Sequence, residues 1–192
     1  MAETNELNDS PSTVTNSNSA SKKNLIEYKG YSKEDLSIKS NFQNETLIEK
    51  ITETLEYIID ENAKIKKVKN IFYSMKKPSI SIKDYLTRIQ KYTNLEDNTL
   101  ILSLIYIDRL LNTTEIELNN YDVHKLLFTA IIIAIKYNED EIYNNPYYAK
   151  IGGISGKDLN KLEFQFLLYL DYNLFVGDEE FQNYCKYLYR NN

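Results

Sequence analysis

The stretch that decides the fold is Leu126-Leu127-Phe128-Thr129-Ala130-Ile131-Ile132-Ile133-Ala134-Ile135-Lys136-Tyr137. Its apolar residues, up to Ile135, cover every side of a helical wheel rather than one stripe. A helix apolar all round is enclosed by protein or by lipid. The apolar run is only about half of the roughly 20 residues a membrane span requires. The spacing therefore predicts a helix at the centre of a bundle, opened by Asn120 or Asp122 as cap and ending near Tyr137.

The neighbouring sequence supplies the helices that would wrap it. Ile82, Tyr85, Leu86 and Ile89 mark a helix over 81–92, and Leu100, Leu104, Ile105, Ile107 and Leu111 mark another over 97–111. Asn145 before Pro146 is a helix-start signal, and Gly152-Gly153 ends that short helix. Ser155 with Asp158 resembles a capping box and opens a helix to about 170 that is nearly as apolar as the central one, with Leu159, Leu162, Phe166, Leu167, Leu168 and Leu170. Upstream, Leu47, Ile51, Leu55 and Ile58 predict a helix over about 44–64, capped by Asn41 or Asn44. A last helix is expected over about 178–189. Neither strand alternation nor an internal repeat is visible. The expected fold class is all-α.

Residues 1–40 are rich in Ser, Asn, Thr, Lys and Glu, too polar to offset their ordering entropy, and read as a disordered tail with a candidate phosphorylation site at Ser10 before Pro11. Residues 41–192 read as a single domain. Lys64, Lys66, Lys67, Lys69, Lys76 and Lys77 form a basic stretch whose plain reading is a solvated face. The chain as a whole carries a net charge of −5, against the basic balance of a nucleic-acid binder. One cysteine and one histidine exclude an internal disulfide and a zinc-ligand spacing. With no signal-peptide pattern, an intracellular protein, nuclear or cytoplasmic, is expected. No catalytic constellation, cofactor motif or metal set emerges, so neither an enzyme nor a small-molecule substrate is expected.

Four charged positions stand out. Lys136 closes the central helix, where the helix dipole favours a cation. Glu163 interrupts the apolar face of the 155–170 helix. They either pair with each other or project from the rim of an apolar surface toward a partner. Arg88 and Asp108 lie within apolar faces, where a charge is seldom buried unpaired, and are expected to bridge. Glu139, Asp140 and Glu141 read as a solvated acidic turn.

The chain resembles the P/U-type cyclins, the phosphate-signalling cyclin subgroup. The resemblance is carried by the 81–89 stretch Ser81-Ile82-Lys83-Asp84-Tyr85-Leu86-Thr87-Arg88-Ile89 and by Leu104-Ile105-Tyr106-Ile107-Asp108-Arg109-Leu110-Leu111. It continues in Ala134-Ile135-Lys136-Tyr137, and above all in Tyr143-Asn144-Asn145-Pro146-Tyr147-Tyr148-Ala149-Lys150-Ile151-Gly152-Gly153. It implies a single five-helix cyclin box over about 79–175 with a central third helix, plus flanking N- and C-terminal helices. It implies a regulatory subunit that binds and activates a cyclin-dependent serine/threonine kinase, in cell-cycle or nutrient signalling. In that family Lys136 and Glu163 match kinase-contacting positions, with apolar contacts at Tyr137, Leu167, Tyr172 and Leu174. Glu139 and Asp140 match acidic residues that reach the kinase activation segment. Arg88 and Asp108 match an internal salt bridge. Thr87, Gln90 and Lys91 replace the apolar substrate-docking patch of cell-cycle cyclins, so that patch is expected to be absent. The alternative is a cyclin-fold adaptor or scaffold, in transcription or signalling, that activates no kinase.

Overall fold

A computed structural model describes residues 46–65 and 69–189. The polar tail over 1–40 and Lys66 and Lys67 of the basic stretch lie outside the described residues. The elements in order are α1 (Leu47–Glu61, closed by a 3-10 turn, Asn62–Lys64), α2 (Ile82–Thr93), α3 (Asp97–Thr113), α4 (Val123–Asn138), α5 (Asn145–Gly152), α6 (Gly156–Tyr169) and α7 (Asp178–Leu188). The five helices α2–α6 make the box, and α1 and α7 flank it.

α4 is the central helix. Every residue from Leu126 to Ile135 is buried, and most are at or near zero exposure. Each Leu, Ile and Phe side chain among them contributes about 1.5–3 kcal/mol of burial free energy. α3, α5 and α6 pack directly on α4. α2 reaches it through Tyr85, whose ring centroid lies 5.2 Å from His124 and 6.2 Å from Phe128. α1 packs on α2 and α7, and Asn62 at its end donates to the Leu118 carbonyl at 3.1 Å.

The second fully enclosed helix is α3, not α6. Residues Thr99 through Asp108 of α3 are all buried, because α4 covers one side of it and α6 and α7 cover others. On α6 only Leu159, Leu162, Glu163 and Phe166 are buried, while Phe164 and Leu168 face outward. α6 is nearly as apolar in sequence as α4, yet part of its apolar surface is exposed.

Caps explain the helix limits. Thr46 and Glu49 form a capping box at the start of α1; Asn41 and Asn44, the caps expected from the sequence, lie outside the described residues. Ser81 and Ser155 accept from the Asp84 and Asp158 amides, each at 3.0 Å. Gly152 packs so closely on Phe128 that a Cβ there would sit 2.3 Å from the ring, and Gly153 takes a left-handed φ of 68° that ends α5.

Candidate functional site

The C-terminal end of α4, the start of α5 and the middle of α6 converge on one polar cluster. Lys136 lies in the last turn of α4, where the carbonyl end of the helix favours its charge. Its Nζ donates to Glu163 Oε1 at 2.6 Å and to Asn145 Oδ1 at 2.5 Å. Asn145 Nδ2 donates in turn to Glu163 Oε2 at 2.5 Å and to Asn160 Oδ1 at 2.6 Å. The Lys136 side chain is 32% exposed and that of Glu163 11% exposed, so the pair opens to solvent on the lysine side.

Asn145 was read in the sequence as the helix cap. The cap is Asn144, whose Oδ1 accepts from the Tyr147 amide at 3.0 Å. Two asparagines precede Pro146 and a cap needs only one. That surplus was the signal that the other side chain had a different task.

The surroundings are aromatic and partly exposed. Tyr137 is 51% exposed and Tyr172 56%, while Leu167 and Leu174 are half-buried against the core. The Tyr106 hydroxyl donates to the Leu174 carbonyl at 2.9 Å, and burial followed by the neighbouring Tyr137 hydroxyl holds its proton on. Asp171 and Tyr172 both take left-handed backbone, φ 50° and 56°. For a bulky residue such as Tyr172 this costs roughly 1–2 kcal/mol. The turn is held by the Tyr172 amide donating to Leu167 O at 2.9 Å and by Arg109 donating to the Asn173 and Phe175 carbonyls at 3.1 and 2.9 Å.

The acidic pair divides. Asp140 is exposed. Glu139 turns inward: its Oε1 accepts from the Thr99 hydroxyl at 2.5 Å and from the Glu96 amide at 3.4 Å. It thereby serves the amide end of α3, which has no side-chain cap of its own. Tyr148 sits near both Glu139 and Glu163; burial first, then Tyr143 and these two carboxylates, push its hydroxyl pKa up.

The expected Arg88–Asp108 bridge is not formed, and no ion pair among the described residues joins the two. Arg88 falls on the exposed side of α2 and donates to the Lys150 carbonyl at 3.3 Å. Asp108 is buried and accepts a short hydrogen bond from the Tyr184 hydroxyl of α7. The bridge belongs to the next residue: Arg109 pairs with Glu180 of α7, Nη2 to Oε2 at 2.7 Å. Helical spacing places Arg88 and Asp108 on apolar faces but carries nothing about α7, whose turn onto α3 no local pattern announces. On the outer surface of α2, Thr87 and Lys91 are exposed and Gln90 half-buried, a polar face.

Among the described residues no group of three or more His, Cys, Asp or Glu side chains is placed to hold a metal ion, and no helix is long and apolar enough to cross a membrane.

An enclosed helix, four box helices around it and two flanking helices define an all-α cyclin-box fold. The cyclin family profile matches residues 2–174, and the chain belongs to the cyclin family. Cyclin-U4-3 of Arabidopsis thaliana is 37% identical over 145 residues, covering 75% of this chain and 64% of that protein. Cyclin-P3-1 of Oryza sativa subsp. japonica is 39% identical over 130 residues, covering 68% of this chain and 55% of that protein. Cyclin-U4-1 of Arabidopsis thaliana is 36% identical over 149 residues, covering 74% of each. The chain thus spans less than two thirds of the length of the first two relatives.

Proposed function

We propose that this chain is the regulatory subunit of a cyclin-dependent serine/threonine kinase and that the open end of α4 is its docking site. The observation that carries the reading is the Lys136–Glu163 pair: half-open to solvent, built from α4 and α6, and set among exposed aromatic side chains. Tyr172 and Tyr137 supply amphipathic contact area of the kind enriched at interfaces, and the half-buried Leu167 and Leu174 add apolar surface. Asp140 offers an exposed carboxylate to a partner arginine. Glu139 belongs to the same surface, but its carboxylate is already engaged with α3.

The mechanism is a population shift. A partner kinase is moved toward its active arrangement only by the difference in this chain's affinity for the active and inactive forms. Proper placement of the kinase lysine–glutamate pair then permits phosphoryl transfer. This chain supplies binding free energy and no reacting group.

The test is a panel of purified cyclin-dependent kinases, measured for binding and for phosphorylation of a peptide substrate. The double variant Lys136→Glu/Glu163→Lys keeps an ion pair within the fold but inverts the charges shown to a partner. It is expected to melt close to the parent chain and to bind at least about 100-fold more weakly. Unchanged affinity would sink the site. Binding without any rise in peptide phosphorylation would replace activation with a scaffold role.

A further inference from the structure

We propose that Asn145 is the positioning residue of this docking site: its amide fixes the Lys136–Glu163 pair in one geometry before a partner arrives. The inference rests on the docking role of that pair.

An isolated, half-exposed lysine–carboxylate pair is worth little and must hold a long flexible side chain still. Here one amide group touches both charges. Its oxygen accepts from the cation at 2.5 Å, and its nitrogen donates to the free oxygen of the anion at 2.5 Å. Glu163 is therefore gripped at Oε1 by Lys136 and at Oε2 by Asn145.

Chemistry fixes the orientation of the amide. Its second N–H goes to Asn160 Oδ1 at 2.6 Å, one turn before Glu163 on α6. The flipped amide would set its oxygen against the Glu163 and Asn160 oxygens and its NH2 against the ammonium, which has no acceptor. One orientation alone satisfies every contact.

Asn145 does not cap α5, and besides the pair its side chain hydrogen-bonds only to Asn160 of α6 among the described residues. Asn145 is the first residue of α5, and the capping bond is made by Asn144. The pair also keeps capacity for a partner. Lys136 has three N–H donors, of which Glu163 and Asn145 take two, and a carboxylate has about four acceptor sites, of which two are filled. A pair held ready in this way meets a partner without paying again to order itself.

The test is a double-mutant cycle on binding to the panel kinase that the parent chain binds most tightly. Asn145→Ala is expected to weaken binding about 10-fold, and Asn145→Asp to weaken it more, because a second carboxylate then faces Glu163. The melting temperature should fall for Asn145→Ala, because Glu163 Oε2 loses its donor although Asn144 still caps α5, so affinity is compared on the folded protein at a temperature well below both melts. In a Glu163→Gln background, Asn145→Ala should cost no more than about 2-fold, as expected of a residue that acts through that carboxylate. Parent-like affinity of Asn145→Ala, or an equal loss in both backgrounds, overturns the proposal. Parent-like affinity of Glu163→Gln and of the Lys136/Glu163 charge swap is the separate result that removes the docking site itself.

Discussion

The two ends of α4 handle polar groups in opposite ways. At its start, Asp122 is fully buried and His124 nearly so. The Asp122 carboxylate accepts from the Asn119 amide at 2.9 Å, from Asn119 Nδ2 at 2.6 Å and from Asn70 Nδ2 at 3.3 Å. His124 Nε2 is 2.9 Å from the Ile80 carbonyl, and its ring lies beside Tyr85. These groups tie the 70–80 segment to the bundle, and the position they leave unfilled, His124 Nδ1, is buried out of a partner's reach. At the other end, Lys136, Tyr137 and Asn138 are exposed, and the ion pair there retains unused donors and acceptors. The same helix is thus sealed at one end and open at the other. Whether a polar cluster serves stability or recognition depends on how many of its hydrogen-bonding positions the fold has already filled.

The strongest challenge to this contrast is Asp122→Ala. Burial raises the Asp122 pKa to about 6, against the pull of its hydrogen bonds to Asn119 and Asn70. Removing the carboxylate strands three donors in a dry site. The expected loss is roughly 3 kcal/mol of stability, read by urea denaturation, with kinase affinity of the folded fraction unchanged. A loss under about 1 kcal/mol would show that the sealed end contributes little and would dissolve the contrast.

How much of this was legible in the sequence follows the same division. The enclosed helix was legible because ten consecutive residues, with Thr129 the sole polar one, leave no face for water. Helix limits were legible wherever the cap was a serine or a Gly pair at the expected offset. Lys136 and Glu163 were legible as a choice between pairing with each other and gripping a partner, and the structure shows the first without closing the second. The long-range polar partners were not legible. Arg109–Glu180 spans 71 residues and Asp108–Tyr184 spans 76, and periodicity within one helix says nothing about which residue of a distant helix it meets. The inward turn of Glu139 was hidden for the same reason: its partner Thr99 lies 40 residues away.

A sharper probe of the sealed end is its response to acid. Burial first, and Lys77 to a lesser degree, hold the His124 pKa below its usual 6.5, opposed by the hydrogen bond to Ile80. The unfolded chain therefore binds a proton near pH 6.5 that the folded chain refuses. Sign follows directly: the neutral imidazole contributes full stability above 6.5, and that contribution falls as pH drops below it. His124→Gln keeps an N–H donor for Ile80 and removes the titration. Stability relative to the parent chain should shift in the variant's favour between pH 7 and pH 5, by at most about 2 kcal/mol, the linkage limit for one proton over that span. Thermal melts at both pH values check it, and a difference that does not change with pH would mean His124 is not held neutral.

The smallest expected effect concerns the boundary of the open end. Glu139 and Asp140 are adjacent, yet only Glu139 is drawn into the fold. It accepts from Thr99, which is fully buried and in turn accepts from Asn138 Nδ2 at 2.7 Å. Because the amide end of α3 has no cap from its own Glu96, the Glu139 carboxylate supplies both the acceptor and the negative charge that end favours. Glu139→Ala should cost about 1 kcal/mol, the usual value of a lost helix cap, with a smaller change in kinase affinity. Asp140→Asn should leave the melting temperature alone and weaken kinase binding about 2- to 5-fold, as for a charge at an interface rim. The reverse pattern, in which Glu139→Ala leaves stability intact and affinity falls, would move Glu139 to the partner-facing set. It would also mean that the turn after α4 rearranges when a kinase docks, releasing Thr99 and opening the α3 end.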